Sequence, residues 1–533
     1  MFIILLACLL VRFFHRRQLI SKPMECDEQE TVVEDVLQNT TSVLQKIANL
    51  YAERLMSDVT LVVGKTWYPA HRIILCASSD VFQVMLMNAT WREFGDAVIT
   101  LQEDENCHAV FPQFLRYMYV GKMTISVDTA VYVLKLADKY NIHDLVQMCI
   151  DYMKRHLNKA TAKGHFVEWL HNVLMICPGR KDLITQMENF LKWNLERIVS
   201  FPGWEQLTPG IMSWLLQQND LVVRSEFRLY ELVDRWFRHQ KAQIECAPPS
   251  QPEPPPQTGD QTTVRESDRE DAIIRLIYGV LVHLRFVMMS LPQMANVLMT
   301  CGKSYTPSLS VRTLKEFYVA RVADAMNFHG RRLEVVNALR TCEPGELLFT
   351  PRLYTSDLWS LEITVNYFDK LDKYSSVASV FFSPTNFSDV DEESNGWDVE
   401  FFPLGVRYKP AQLIGVYSAA TNREIPESII RTVRLRITSQ RAMRNECRYM
   451  IGVLICGMMN DEEYVYNCHV RMAYFSSDRR VLNIDNLIPF EELQRSGPNL
   501  SHYLVGEHLD TIKIKVVIVP LNPFSNVFAP PVE

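Results

Sequence analysis

Over the first two thirds of the chain, hydrophobic residues recur with a helical spacing. In residues 41–55 they stand three and four positions apart, which predicts an amphipathic helix with one apolar stripe. Val59–Val63 and Val98–Leu101 are short apolar runs that predict buried strands. Further helices are predicted at about 71–86, 109–119, 129–139, 142–157 and 312–339. This part of the chain is therefore expected to be mainly helical, with a small sheet near its beginning.

In the last third the spacing changes to two. The residues that alternate with mostly polar neighbours are Trp359, Leu361, Ile363, Val365, Tyr367, Trp397, Val399, Phe401, Val433, Leu435, Ile437, Ile512, Ile514, Val516 and Ile518. Such alternation is typical of antiparallel strands that bury one face, and over many short runs it predicts a β-sandwich. The predicted fold class is α+β multidomain, with an α/β domain, an all-α domain and a C-terminal antiparallel β-sandwich in that order.

The chain begins with eleven apolar residues, MFIILLACLLV, followed by Arg12, His15, Arg16 and Arg17. A helix of eleven residues is too short to cross ~30 Å of hydrocarbon, but the length suits the apolar region of a signal peptide. The basic residues follow the run instead of preceding it, which argues against a signal peptide, and a short membrane anchor with its basic side in the cytosol is a second interpretation. A hydrophobic tail without a targeting role is the third interpretation. Localisation stays open between secreted, membrane-associated and cytoplasmic.

Composition and charge exclude several classes of function. Lys and Arg number 55 against 62 Asp and Glu, a net charge of −7, so no overall positive field attracts nucleic acid. No basic patch of more than a few residues occurs, and no nucleic-acid partner is expected. None of the 12 cysteines forms a C-x-x-C pair, which argues against zinc ribbons and thioredoxin-like motifs and leaves the disulfide state undecided.

Catalytic motifs are missing from the sequence. Gly64, Lys65 and Thr66 imitate the end of a P-loop, but Val59 stands where that motif requires glycine. The G-x-S-x-G, H-E-x-x-H and EF-hand patterns are absent, and no two histidines have metal-ligand spacing. His71 is expected to be a structural histidine. Asp58 is expected to cap or pair locally. We predict no enzyme, no catalytic residue, no cofactor and no metal.

An ordered set of residues in the first domain resembles the BTB/POZ family. The matching positions are Ser57, Asp58, Val59, Thr60, Leu61, Ala70, His71, Arg72, Leu75, Ser78, Ser79, Phe82, Phe114 to Gly121, Leu134, Ala137 to Tyr140 and Leu145. Further on, Phe190, Trp193, Val223 to Glu226, Tyr230, Trp236 and Leu284 to Phe286 resemble the BACK domain that often follows BTB.

The C-terminal region resembles a divergent TRAF-like (MATH) sandwich. The residues that carry this resemblance are Trp397 to Gly405, Ile488 to Leu493 and Tyr503 to Val505. The resulting domain prediction is a hydrophobic segment 1–25, BTB/POZ 30–157, BACK 158–305 with a proline-rich insertion 246–262, a helical connector 306–345 and the sandwich 346–522. This domain order is similar to that of the galectin-3-binding-protein-like group.

These resemblances imply a non-enzymatic protein-interaction scaffold. BTB domains usually form homodimers through their first helix, so Leu44, Ile47, Tyr51 and Leu55 are the candidate dimer interface. BTB–BACK proteins often act as substrate adaptors of cullin-3 ubiquitin ligases. Many cullin-binding members carry a hydrophobic-x-Glu element. Here Trp91 and Glu93 fit that pattern, although the Trp could instead cover the domain's own core. The sandwich would hold an unknown protein ligand.

The alternative is a secreted or membrane-tethered glycoprotein of the galectin-3-binding type. The chain has N-x-[ST] sequons at Asn39, Asn88, Asn386 and Asn499. A glycan on Asn88 would crowd Trp91, so the two functional interpretations exclude each other at that point. A transcription regulator is disfavoured because zinc fingers and a basic patch are missing.

Overall fold

A computed structural model describes most of the chain between residues 39 and 521. The described residues are 39–88, 90, 91, 93, 95–246, 261–301, 309–330, 332, 334, 336, 338, 345–387, 394–407, 431–441, 446–493 and 501–521. The predicted N-terminal segment 1–25 and most of the proline-rich insertion lie outside these residues. Among the described helices, none combines the length and the apolar character that crossing a membrane requires.

The chain divides into two compact units. The N-terminal unit runs to Ala160 and includes Glu168–Thr185, and the C-terminal unit comprises Thr161–Val167 and the chain from Gln186 onward. Three helices contribute residues to both units: α8 (Leu157–Ala162), α9 (Phe166–Ile176) and α10 (Lys181–Trp193).

The N-terminal unit packs helices around a small sheet. Its helices are α1 (Thr40–Glu53), α2 (Arg72–Ser78), α3 (Asp80–Met87), α4 (Glu105–His108), α5 (Phe111–Val120), α6 (Ala130–Lys139) and α7 (His143–Arg155). Its strands are β1 (Val59–Val63), β2 (Thr66–Ala70) and β3 (Val98–Leu101). The central strand β1 pairs antiparallel with β2 and parallel with β3. Both predicted apolar runs are therefore strands with the predicted bounds.

One predicted helix in this unit is two. The helical pattern over 71–86 is broken at Ser79, which has an extended backbone. The Ser79 hydroxyl accepts a hydrogen bond from the Phe82 amide at 3.1 Å, so Ser79 caps α3. It also donates to the Tyr140 carbonyl at 2.5 Å, which ties the break to the end of α6. Apolar spacing continues through the break and does not show it.

In the C-terminal unit a helical region precedes the strands. Its remaining helices are α11 (Leu195–Ile198), α12 (Pro209–Gln217), α13 (Glu226–Cys246), α14 (Gln261–Gly279), α15 (Leu291–Cys301) and α16 (Leu309–His329). Thr208 caps α12 and Pro209 occupies its first turn, a sequence typical of helix beginnings. Trp236 on α13 is fully buried, and its indole N–H donates to the Leu207 carbonyl at 2.9 Å.

The last part of the chain is a β-sandwich, as the alternating pattern predicts. Its strands are β6 (Ser360–Val365), β7 (Val377–Pro384), β8 (Ser394–Arg407), β9 (Arg431–Ser439), β10 (Cys447–Met459), β11 (Glu462–Phe475), β12 (Val481–Ile484) and β13 (Ile512–Pro520), with a short helix α17 (Phe490–Leu493). One antiparallel sheet has the order β11-β10-β13-β6 and the other β12-β9-β8-β7. Two short strands, β4 (Val222–Val223) and β5 (Leu353–Tyr354), form a separate parallel pair.

The core of the sandwich lies between the two sheets. Trp397 is fully buried there, with its ring 4.9 Å from the rings of Tyr449 and Phe475, and its N–H donates to the Ser383 hydroxyl. The alternating residues of β8, β9 and β13 are all buried with it. This arrangement confirms the predicted α+β multidomain fold class.

Candidate functional site

Helix α1 presents an apolar stripe that its own unit covers only in part. Tyr51 packs inward: its hydroxyl donates to the Pro112 carbonyl at 3.1 Å, and its ring lies 5.1 Å from that of Tyr119. Burial raises the pKa of Tyr51, partly offset by the nearby Arg116. On α1, Leu44 is 52% exposed and Ile47 is half-buried; Leu55, predicted in the same helical stripe, instead follows the helix, whose C-cap residue Arg54 has a left-handed conformation, and is 51% exposed. An unpartnered apolar stripe of this kind suits a protein contact.

The two polar residues that were predicted to be structural have that role. His71 is buried, with Nδ1 2.9 Å from the Tyr119 hydroxyl and Nε2 2.6 Å from the Leu55 carbonyl. A carboxylate oxygen of Asp58 accepts from the Arg72 amide at 2.8 Å, at the beginning of α2. Both residues therefore join helix ends to the sheet, which confirms the local roles expected for them.

Helix α3 has one buried face and one exposed apolar face. Phe82, Met85 and Leu86 are buried, whereas Val84 is 47% and Met87 64% exposed. Val84 and Met87 therefore lie outside the core of the unit, although both are apolar.

Trp91 follows α3 and is 49% exposed. Its amide donates to the Asn88 carbonyl at 3.0 Å, which holds the turn after the helix. Glu93 lies two residues on and is half-buried. A half-exposed Trp favours a contact role over the alternative in which Trp91 only covers its own core.

The sequons differ in accessibility. Asn88 is exposed, and its side-chain oxygen accepts from the Thr90 hydroxyl at 2.8 Å and from the Thr90 amide at 3.0 Å. Asn39 is exposed and Asn386 is half-buried. Asn499 lies outside the described residues.

A pocket of about 660 Å³ lies on the outer face of the sheet β12-β9-β8-β7. It is lined by Ala378, Ser379, Val380, Asp398, Glu400, Arg434, Arg436, Thr438, Val481 and Asn483. Sequence reasoning missed it. The available signal was charge at the outward positions of β8 and β9, between the buried residues of the same strands.

Both arginines that line this pocket are in ion pairs. Arg436 lies 3.0 Å from Glu400, and Arg434 lies 2.6 Å from Asp485. Apolar side chains stand beside them, with Val380 56% exposed. A ligand on this face would therefore meet apolar contacts together with hydrogen-bonding groups already held in place.

The described residues were also compared with the arrangement that a metal site needs. Within them no three His, Cys, Asp or Glu side chains gather in a way that could hold a metal ion. Cys76, Cys107, Cys149, Cys177, Cys246, Cys447, Cys456 and Cys468 are free thiols, and burial raises the pKa of Cys149 and of Cys177 to about 12.

Comparisons with known proteins identify the domains. Residues 47–157 match the BTB/POZ domain, 175–250 match BACK (BTB And C-terminal Kelch), and 349–522 match the BTBD17 TRAF domain.

The chain is also similar to several whole proteins. It is 26% identical over 456 residues to BTB/POZ domain-containing protein 17 of Xenopus tropicalis, covering 85% of this chain and 83% of the relative. The Homo sapiens protein of that name is 32% identical over 207 residues, 38% of this chain and 41% of the relative. Kelch-like protein 7 of Rattus norvegicus is 24% identical over 193 residues, 36% of this chain and 31% of the relative.

Proposed function

We propose that this chain is a non-enzymatic scaffold that dimerises through its BTB domain and serves as a cullin-3 substrate adaptor. It combines BTB, BACK and TRAF domains and resembles BTB/POZ domain-containing protein 17. The observation that carries this proposal is the half-exposed Trp91, which follows α3 and its exposed Val84 and Met87. Domains of this kind are interaction modules, and the similarity to Kelch-like protein 7 over 193 residues supports an adaptor.

In the adaptor, Trp91 is the anchor for cullin-3. Exposed tryptophans rank among the residues that contribute most to binding when a partner buries them. Met87 adds apolar area on the same surface. Glu93 supplies the acidic position of the hydrophobic-x-Glu element.

Dimerisation uses the apolar stripe on α1 together with Leu55, which follows the helix. Leu44 and Leu55 leave about half of their surface in water in the single chain, which costs about 25 cal/mol for each Å² that a partner would cover. A second copy offers the same stripe, and isologous pairing of identical surfaces is the commonest form of assembly.

The sandwich holds the protein to be recruited. The pocket on the sheet β12-β9-β8-β7 is the described surface that best fits this role, because it combines exposed Val380 with the Arg436–Glu400 pair. Paired charges lower the cost of covering them with a polar ligand, since each charge keeps its partner.

Co-purification with cullin-3 tests the adaptor role. The full chain should bring down cullin-3, and Trp91→Ala combined with Glu93→Ala should abolish binding. Trp67→Ala is the matched control, because Trp67 is 60% exposed on β2 of the same unit and should be dispensable. Wild-type recovery of cullin-3 with the double variant would refute the assignment of the element.

The second candidate function is the secreted or tethered glycoprotein, and it is favoured by the exposed Asn88 sequon. A glycan three residues before Trp91 would cover the cullin surface. N-glycosidase treatment should then increase gel mobility, and Asn88→Gln should remove part of that shift. Unchanged mobility together with cytosolic fractionation would rule this candidate out.

A further inference from the structure

The helical region and the sandwich of the C-terminal unit share a short parallel pairing. Val222 and Val223 of β4 pair with Leu353 and Tyr354 of β5. The ladder continues beyond the strands, since the Thr355 amide donates to the Val223 carbonyl at 2.9 Å. Residues far apart in the chain thus form one backbone network where the two regions meet.

A cluster of buried charges lies beside this pairing. Glu226, Arg285 and Arg352 are each at most 1% exposed. Glu226 Oε2 lies 3.3 Å from Arg352 Nε and accepts from the Tyr354 hydroxyl at 2.9 Å. Its other oxygen accepts from the Arg285 amide at 2.8 Å. One carboxylate from the helical region therefore binds two residues that lead into the sandwich.

Backbone carbonyls accept from the Nη atoms of both arginines, whereas Arg285 Nε, Arg352 Nε and Arg352 Nη1 are buried without a hydrogen-bond acceptor among the described residues. Arg352 Nη2 donates to the carbonyls of Leu216 at 2.8 Å and His283 at 2.9 Å. Arg285 Nη1 donates to the Thr350 carbonyl at 2.5 Å, and its Nη2 donates to that of Gln218 at 3.3 Å. Leu216 belongs to the last turn of α12 and Gln218 follows that helix, where the helix dipole favours positive charge.

Burial at this junction shifts the pKa values of Arg285 and Tyr354 in the direction that favours the uncharged form of each side chain. Burial and the charge of Arg352 lower the pKa of Arg285 to about 9, which leaves Arg285 protonated at neutral pH. Burial, together with the Glu226 charge, raises the pKa of Tyr354 well above its usual value, so that its hydroxyl stays a donor. With two guanidinium groups against one carboxylate, the cluster depends on all of its hydrogen bonds.

A second contact joins the two regions at the edge strand β11. The Asn194 side chain donates to the Val465 carbonyl at 3.0 Å and accepts from the Val465 amide at 2.7 Å, as a neighbouring strand would. The ring of Phe190 lies 5.9 Å from that of Tyr464, and Arg197 forms an ion pair with Glu462. At this position the edge is closed by the helical region.

We propose that the Glu226–Arg285–Arg352 cluster holds the helical region and the sandwich together as one cooperative folding unit. The orientation of the sandwich relative to the helical region is then fixed. Separating the two regions would leave Arg352 without Glu226 and expose the α12 carbonyls. This role of the cluster is independent of which partner the sandwich binds.

Hydrogen exchange of the full chain, followed by mass spectrometry, tests this proposal. Glu226→Gln should lower protection by at least a hundredfold both in peptides from α12 and α13 and in peptides from β9 and β13, because they open together. Glu231→Gln is the matched control, since Glu231 stands on the same helix with its side chain 47% exposed and should leave both sets unchanged.

If Glu226→Gln fails to accumulate as folded protein, Asn194→Ala provides the milder perturbation. It should lower protection about tenfold, again in the helical and sandwich peptides together. Loss of protection confined to the helical peptides, or no change in either set, would overturn the proposal.

Discussion

The two units handle surface and interior in opposite ways. The N-terminal unit leaves apolar side chains such as Leu44, Met87 and Trp91 about half in water or more. The C-terminal unit places Glu226 and Arg352 where water does not reach. Apolar surface in water raises the free energy of the protein until a partner covers it. A buried charge raises the free energy unless a group of the same chain pairs with it. The first arrangement is suited to contacts between molecules and the second to contacts within one.

The largest effect on stability is expected when one member of the buried Glu226–Arg352 pair is removed. Arg352→Met should lower the free energy of unfolding of the C-terminal unit by about 3–5 kcal/mol, because Glu226 remains buried without its partner. Denaturant titration measures the change. Arg436→Met, which removes the exposed partner of Glu400, should cost about 0–1 kcal/mol. Equal losses in the two variants would show that burial does not distinguish the pairs.

Next in size is the effect of replacing the exposed leucines of the proposed dimer surface, Leu44 on α1 and Leu55 just after it. Leu44→Ser with Leu55→Ser should weaken the dimer by about 2–3 kcal/mol, roughly a hundredfold in the dissociation constant, since both protomers lose apolar contact. Analytical ultracentrifugation over a concentration series measures this constant. Met175→Ser, on α9 and 72% exposed, should leave it unchanged. A chain that stays monomeric before any substitution would contradict the dimer.

A smaller effect is expected on the α3 face. Met87→Ser should weaken cullin-3 binding by about 1 kcal/mol, roughly fivefold, because Met87 adds area beside the Trp91 anchor. Calorimetric titration would show it. Met148→Ser, on α7 and 48% exposed, is the control that should bind normally. Identical affinities for the two variants would place the contact elsewhere.

The last prediction concerns the reactivity of the thiols in the folded protein and involves no substitution. Exposed Cys246 should react with a maleimide at neutral pH, whereas Cys149 and Cys177 should not, because burial raises the pKa of each to about 12 and hides the sulfur. Mass spectrometry before and after denaturation maps the labelled positions. Rapid native labelling of Cys149 would mean that the core of the N-terminal unit opens readily.

Local patterns in the sequence predicted those parts of the fold that depend on neighbours along the chain. β1 and β3 have the bounds their apolar runs indicated, and Trp397, Leu435 and Ile514 lie in the core as their alternation required. The break at Ser79 was missed because its capping partners include the distant Tyr140 carbonyl. Periodicity describes which side of an element is apolar, but not which tertiary contact interrupts it.

For the candidate site, the sequence named residues on α1 and after α3, and their use in binding stays a prediction. Trp91 was predicted as either an anchor or a cover, and only its exposure favours the first. The charged pocket on the sandwich was not predicted, since its residues come from four strands that the fold brings together.

By itself the sequence determined the domain order, the helical and strand periods and the absence of known catalytic motifs, because each of these is encoded in residues close along the chain. Only the tertiary structure decided that the apolar stripe of α1 stays partly uncovered and that Glu226 meets Arg352. Those outcomes depend on the packing of distant elements, which sets whether a side chain is left in water or removed from it.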